Sequence, residues 1–146
     1  LENNMIRLLT FISILMLSSF SYADHHAVSM EARQPTSEVN MTSITVGDDV
    51  TIINAEVQTG TYGRVYITFT LSYNAEGTGG TYTVQGRGYV DEETASSGSG
   101  VGVWSRDGIK LSMHQLVNVS DGTINFDKVV LNPLTRTGTL DVYTVK

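Results

Sequence analysis

The chain has no cysteine, two prolines, one tryptophan and three histidines in 146 residues. Without thiols it can form no disulfide, no thiolate metal site and no lipid-modified cysteine anchor. Positive charge is also scarce, with nine lysines and arginines against fifteen acids and a formal net charge of −6. That balance argues against nucleic acid and anionic membrane surfaces as partners and serves solubility. Catalytic signals are few. No G-x-S-x-G nucleophile elbow is present, because Ser97 to Gly102 (SGSGVG) is alternation inside a strand pattern. Gly86-Arg87-Gly88 is followed by no helical pattern and is not a phosphate loop. The β-rich part holds one histidine, His114, on the polar side of its run.

The one long apolar run, Leu8 to Phe20, is shorter than the roughly 18–20 residues a membrane span requires. It follows Met5-Ile6-Arg7 and precedes Ser21-Tyr22-Ala23, the three-part layout of a secretory signal peptide. The expected organisation is upstream residues 1–4, a leader over 5–23 cleaved after Ala23, a flexible arm over 24–40 and a β-domain over 41–146. The product is then periplasmic or secreted, with no stable membrane insertion. Cleavage there exposes Asp24-His25-His26, and an amine with histidine third suits square-planar Cu²⁺ or Ni²⁺, so His26 with the Asp24 amino terminus is the one metal candidate. No motif asks for a cofactor. Asp91-Glu92-Glu93 lacks the alternating oxygens and glycine of a calcium loop and is expected to be a solvated turn.

After a possible helical turn around 28–33, β-branched and aromatic residues recur in eight runs: 41–46, 50–58, 64–73, 81–91, 97–105, 109–120, 123–131 and 137–146. Several alternate strictly, as a half-buried strand does. Val65, Ile67, Phe69, Leu71 and Tyr73 share one side of the third run. Ile109, Leu111, Met113, Val117 and Val119 share one side of the sixth. Asp107-Gly108 and Asp121-Gly122 are hairpin signals, and no connection is long enough for a helical crossover. The expected fold is all-β, an antiparallel eight-stranded meander closed into an up-and-down barrel, with a β-sandwich as the alternative. In outline the meander is similar to lipocalin-like and allene-oxide-cyclase-like barrels. That likeness is architectural and carries no residue over.

Gly86, Gly88, Gly98, Gly100 and Gly102 fall on alternate positions of the fourth and fifth runs, with Tyr82, Val84, Val90 and Trp104 on the same sides. Strand glycines cost stability, so the pattern serves either the coiling that closes a small barrel or a cavity inside it. A cavity left by five such positions would be on the order of a few hundred Å³. Its expected lining is Phe69, Tyr82, Gly86, Gly88, Gly100, Trp104 and Met113. Trp104 with Tyr62, Tyr66, Tyr73, Tyr82, Tyr89 and Tyr143 can form a ligand platform or simply cross-strand pairs. Three functions stay open: a non-enzymatic exported barrel holding a small apolar or amphipathic ligand, a barrel enzyme of the cyclase or isomerase type, and a structural or adhesive protein with a filled core. The first is favoured. Glu56, Asp127 or His114 found pointing inside would move weight toward the enzyme.

Overall fold

The computed structural model describes residues 27–146. Every element in them is a strand: β1 (Met30–Ala32), β2 (Ser37–Val46), β3 (Val50–Thr59), β4 (Gly63–Ser72), β5 (Gly79–Tyr89), β6 (Ala95–Asp107), β7 (Lys110–Val119), β8 (Ile124–Asn132) and β9 (Thr137–Val145). From β2 onward each strand pairs antiparallel with the next, and β9 returns to β2. This is a closed eight-stranded up-and-down barrel with one extra strand, not a sandwich. Closure removes the free edges that an open sheet would expose.

The extra strand is the upper half of a broken one. β8 occupies one edge of β9, so β1 and β2 share the other: β1 pairs with Tyr143–Val145 and β2 with Thr137–Leu140. Pro35 lies in the break, where its missing N–H breaks no ladder. Barrel pairing therefore starts at Ser37 rather than Met41, and residues 30–32 are strand rather than a helical turn. Within β2, Thr42 is an extra residue between the pairs Met41↔Ala55 and Ser43↔Asn54. Such a bulge reverses the side-chain parity. Val39 and Met41 face inward before it, and Ile44, opposite Ile53, packs on the core after it.

Elsewhere the alternation holds. Ile67, Phe69 and Leu71 of β4, Leu111, Met113 and Val117 of β7, and Leu140 and Val142 of β9 are all buried. Phe69, Ile53, Leu71, Met113, Leu131, Val39 and Val129 are less than 2 % exposed and fill the middle of the barrel. Each such side chain contributes about 1.5–3 kcal/mol through burial. Two inward expectations fail at strand ends. Val90 lies just past β5 and is exposed. Asp107 pairs with Lys110, so the β6–β7 loop is Gly108-Ile109, with left-handed Gly108 first (φ 59°), and Ile109 sits exposed at the tip.

Arg136, in the β8–β9 loop, is the one non-glycine residue with positive φ (60°) among the described residues. That conformation costs a side-chain-bearing residue about 1 kcal/mol. Glycine relieves that strain but adds unfolded-state entropy that offsets most of it, so Arg136→Gly is expected to stabilise the barrel by at most about 0.5 kcal/mol, read as an increase in the urea midpoint at unchanged m-value.

Candidate functional site

The two ends of the barrel differ. The end bearing the β2–β3, β6–β7 and β8–β9 turns is an open apolar depression of about 500 Å³, with Trp104 and Leu111 low in it and Val46, Ile109 and Leu134 at its rim. The Trp104 indole N–H donates to the Ser72 carbonyl (2.9 Å), and the Trp104 ring meets Tyr73 edge-on at 5.7 Å.

The other end, beneath the β3–β4, β5–β6 and β7–β8 turns, holds a cavity of about 70 Å³. Its apolar wall includes Val65, Ile67, Val84, Val117, Leu140 and Val142. Its polar wall is Thr59, Tyr62, Ser96, Ser97, Gln115, Asn125 and Asp127. Asn125 and Asp127 are two apart on β8, so they share its inward face with Val129 and Leu131. Gln115 has the same parity as Met113 and Val117 on β7.

A directed chain of hydrogen bonds orients these groups. The Tyr82 hydroxyl donates to Gln115 Oε1 (3.0 Å), and Gln115 Nε2 donates to Asp127 Oδ2 (2.8 Å). Asn125 Nδ2 donates to the Tyr62 hydroxyl (2.9 Å). Asp127 Oδ1 and Asn125 Oδ1 are buried and have no hydrogen-bond partner among the described residues. Burial pushes the Asp127 carboxyl up to about 6 against the opposing pull of the Gln115 bond. Burial, then the Asp127 charge, raises the Tyr82 phenol above its ordinary range.

Arg33, in the break between β1 and β2, ties this end together. Its guanidinium lies over the Tyr62 ring (5.1 Å to the centroid) and pairs with Asp121 of the β7–β8 turn (3.1 Å). Tyr62 is placed in turn by Thr59, whose hydroxyl oxygen accepts the Tyr62 N–H (2.9 Å).

The glycines divide by what a side chain would meet. A Cβ at Gly86 would touch nothing closer than 3.7 Å, and Gly86 lines the cavity. Gly88 and Gly98 also line it, but a Cβ at Gly88 would sit 2.7 Å from the Tyr62 carbonyl and one at Gly98 3.0 Å from a Val117 methyl. Gly100 does not line it: its Cβ would lie 2.0 Å from the Leu116 carbonyl oxygen, so β6 presses there on the β7 backbone. At Gly102 the obstacles are the His114 carbonyl (2.3 Å) and the Tyr82 ring (2.6 Å). Most of the pattern thus serves backbone approach, and the interior space is smaller than five missing side chains suggest.

Of the seven expected lining residues, Gly86 and Gly88 border the cavity, while Phe69, Tyr82 and Met113 are core filling and Trp104 belongs to the opposite end. Asp127 points inside. Glu56 pairs with Arg64 outside (3.1 Å), and His114 stacks on Phe126 across the outer face (6.0 Å). Asp91 accepts the N–H groups of Glu93 (2.9 Å) and Thr94 (2.7 Å), which closes its turn. The aromatics form separate pairs, Tyr66–Tyr89 outside and Phe69–Tyr82 inside, rather than one platform. Asp24 and His26 lie outside the described residues.

The architecture and cavity define a class: a closed eight-stranded up-and-down barrel with a buried acid beneath one end. No family model, curated protein or solved structure matches the chain.

Proposed function

We propose that this chain is an exported, non-enzymatic barrel that holds one small amphipathic molecule in the cavity beneath Tyr62. The observation that carries the reading is the pair of buried, unpartnered acceptors, Asp127 Oδ1 and Asn125 Oδ1, on residues that line a cavity with one aliphatic wall and one polar wall. Leaving such an atom unbonded costs about 1–3 kcal/mol, so a ligand with polar hydrogens at one end and an alkyl tail suits the site. The filled middle of the barrel limits that ligand to one end.

A second reading rests on Asp127 itself. A carboxyl pushed up to about 6 is matched to proton transfer near neutral pH, as an isomerase would require.

Protein purified from its own host, denatured and extracted, should release a small molecule in near-stoichiometric amount by mass spectrometry. Gly86→Leu, which fills the cavity, should abolish that release while the fold persists. Release that survives Gly86→Leu would remove the site from this cavity. Conversion of the released compound by native protein would favour the isomerase.

A further inference from the structure

The cavity also points to the chemistry of what it holds. Resting on the reading above, we infer that the ligand is a short primary alkylammonium ion, its nitrogen between Asp127 Oδ1 and Asn125 Oδ1 and its chain against the aliphatic wall.

The unpartnered atoms of the lining favour donors. Gln115 is oriented by Tyr82, so one of its two amide hydrogens goes to Asp127 Oδ2. Asn125 gives one of its two amide hydrogens to the Tyr62 hydroxyl. The buried side-chain atoms left wholly without partners among the cavity residues are two acceptor oxygens on one strand face, one of them from a carboxylate, while the hydroxyls of Tyr62, Ser96 and Ser97 on the same wall can donate or accept. An ammonium has three donors and no acceptor, enough for both oxygens. An alcohol brings one donor and leaves one oxygen unmet. A carboxylate or phosphate would place negative charge beside Asp127.

Charge selects in the same direction. None of the residues lining the cavity is basic. Arg33, at the same end of the barrel, is engaged with Asp121 in the turn above, and its buried Nε has no hydrogen-bond partner among the described residues. The Asp127 charge therefore has no counterion from the cavity wall, and charge-assisted bonds to an ammonium are the strong kind.

Size sets the chain length. A space of about 70 Å³ is less than half of an engineered apolar cavity of about 150 Å³ that takes benzene. Roughly two to four carbons fit, and Gly86 supplies room for them without a backbone clash.

The test compares three probes of similar size by amide chemical shifts around Gly86 and Ile124–Val129: propylammonium, 1-propanol and propionate. In the wild type at neutral pH, propylammonium should saturate at least about tenfold more tightly than 1-propanol, and propionate should not bind. Asp127→Asn should bring propylammonium down to the level of 1-propanol. Binding should also fade as the pH falls through about 6, where Asp127 takes up a proton. The other titratable groups around the acid are Tyr82 from β5, whose phenol burial pushes further up, and Tyr62 from the β3–β4 turn. Equal binding of propylammonium and 1-propanol to the wild type would overturn the ammonium inference and leave the interior reading standing. Saturation by none of the three would overturn both. The wild-type comparison decides even if Asp127→Asn fails to fold.

Discussion

Gly100→Ala is expected to destabilise the barrel by about 3 kcal/mol or to prevent folding, whereas Gly86→Ala should be neutral or stabilise it by about 0.5 kcal/mol. The two positions have the same strand context and differ in what stands over the Cα. At Gly100 the added methyl meets the Leu116 carbonyl oxygen at 2.0 Å, the Leu116 carbonyl carbon at 2.9 Å and the Val117 Cα at 3.0 Å. All three are backbone atoms of β7, held in register by the ladder from Gly98↔Val119 to Asp107↔Lys110. They cannot yield without breaking that ladder, and overpacking without relaxation lies at the costly end of its range. At Gly86 the nearest atoms are at 3.7 Å, an ordinary contact, and alanine removes the entropy that glycine loses in a strand. Urea unfolding of the two single variants measures the contrast. Equal stability of both would mean that β6 does not press on β7 at Gly100.

This contrast marks where reading the chain from its residues stops. The antiparallel meander was legible: the alternation in β4 and β7 and the short Gly-containing connections allow antiparallel neighbours and nothing else, but a barrel and a sandwich share that pattern, and closure of β9 onto β2 decided between them. The five glycines were legible as an anomaly, but their roles were not. A Cβ distance depends on how far each strand coils onto its neighbour, and the same glycine-every-second-residue pattern covers 2.0 Å at Gly100 and 3.7 Å at Gly86. The bulge at Thr42 was invisible for a related reason, since one extra polar residue in Met41–Val46 only looks like weaker alternation. Ser37 and Val39 were lost with it, because two inward residues between Pro35 and the run from Met41 are too short a pattern to extend a strand across the change of parity.

The polar wall was legible in part. Gln115 falls on the inward parity of β7 among Leu111, Met113 and Val117, and Asn125 and Asp127 continue the parity of Val129 and Leu131. Parity says that these side chains face inward, and it stops there. That they converge below one end, with Tyr62 arriving from the β3–β4 turn, depends on the stagger of strands around the closed barrel. No local pattern encodes that stagger.

The stability of the protein should fall as pH rises from about 4 to about 7, and most of that slope should vanish in Asp127→Asn. An unfolded aspartate titrates near 3.9, and burial in the folded barrel moves Asp127 up to about 6. Between those values the native state keeps a proton that the unfolded chain has released. Stability therefore declines through this window, is greatest below the unfolded value and is fully reduced above the folded one. At about 1.4 kcal/mol per unit the shift amounts to about 3 kcal/mol at neutral pH. Exposed Asp91, Asp121 and Glu31 pull the other way. The Glu93 N–H, the Thr123 hydroxyl and the Lys146 ammonium respectively hold them below their usual range. They are present in both proteins and cancel when wild type and variant are compared at each pH. Asparagine is isosteric, keeps an oxygen for Gln115 Nε2 and carries no charge to desolvate. The variant should therefore match the wild type near pH 4 and exceed it by about 2–3 kcal/mol near pH 7 in urea unfolding. A difference independent of pH would mean that Asp127 is ionised without penalty in the folded protein, and so is not buried in the cavity wall. Propylammonium at saturating concentration supplies the complementary result. An ammonium at Oδ1 stabilises the ionised carboxylate, so it should raise wild-type stability at pH 7, leave it unchanged at pH 4, and flatten the same slope that the substitution removes.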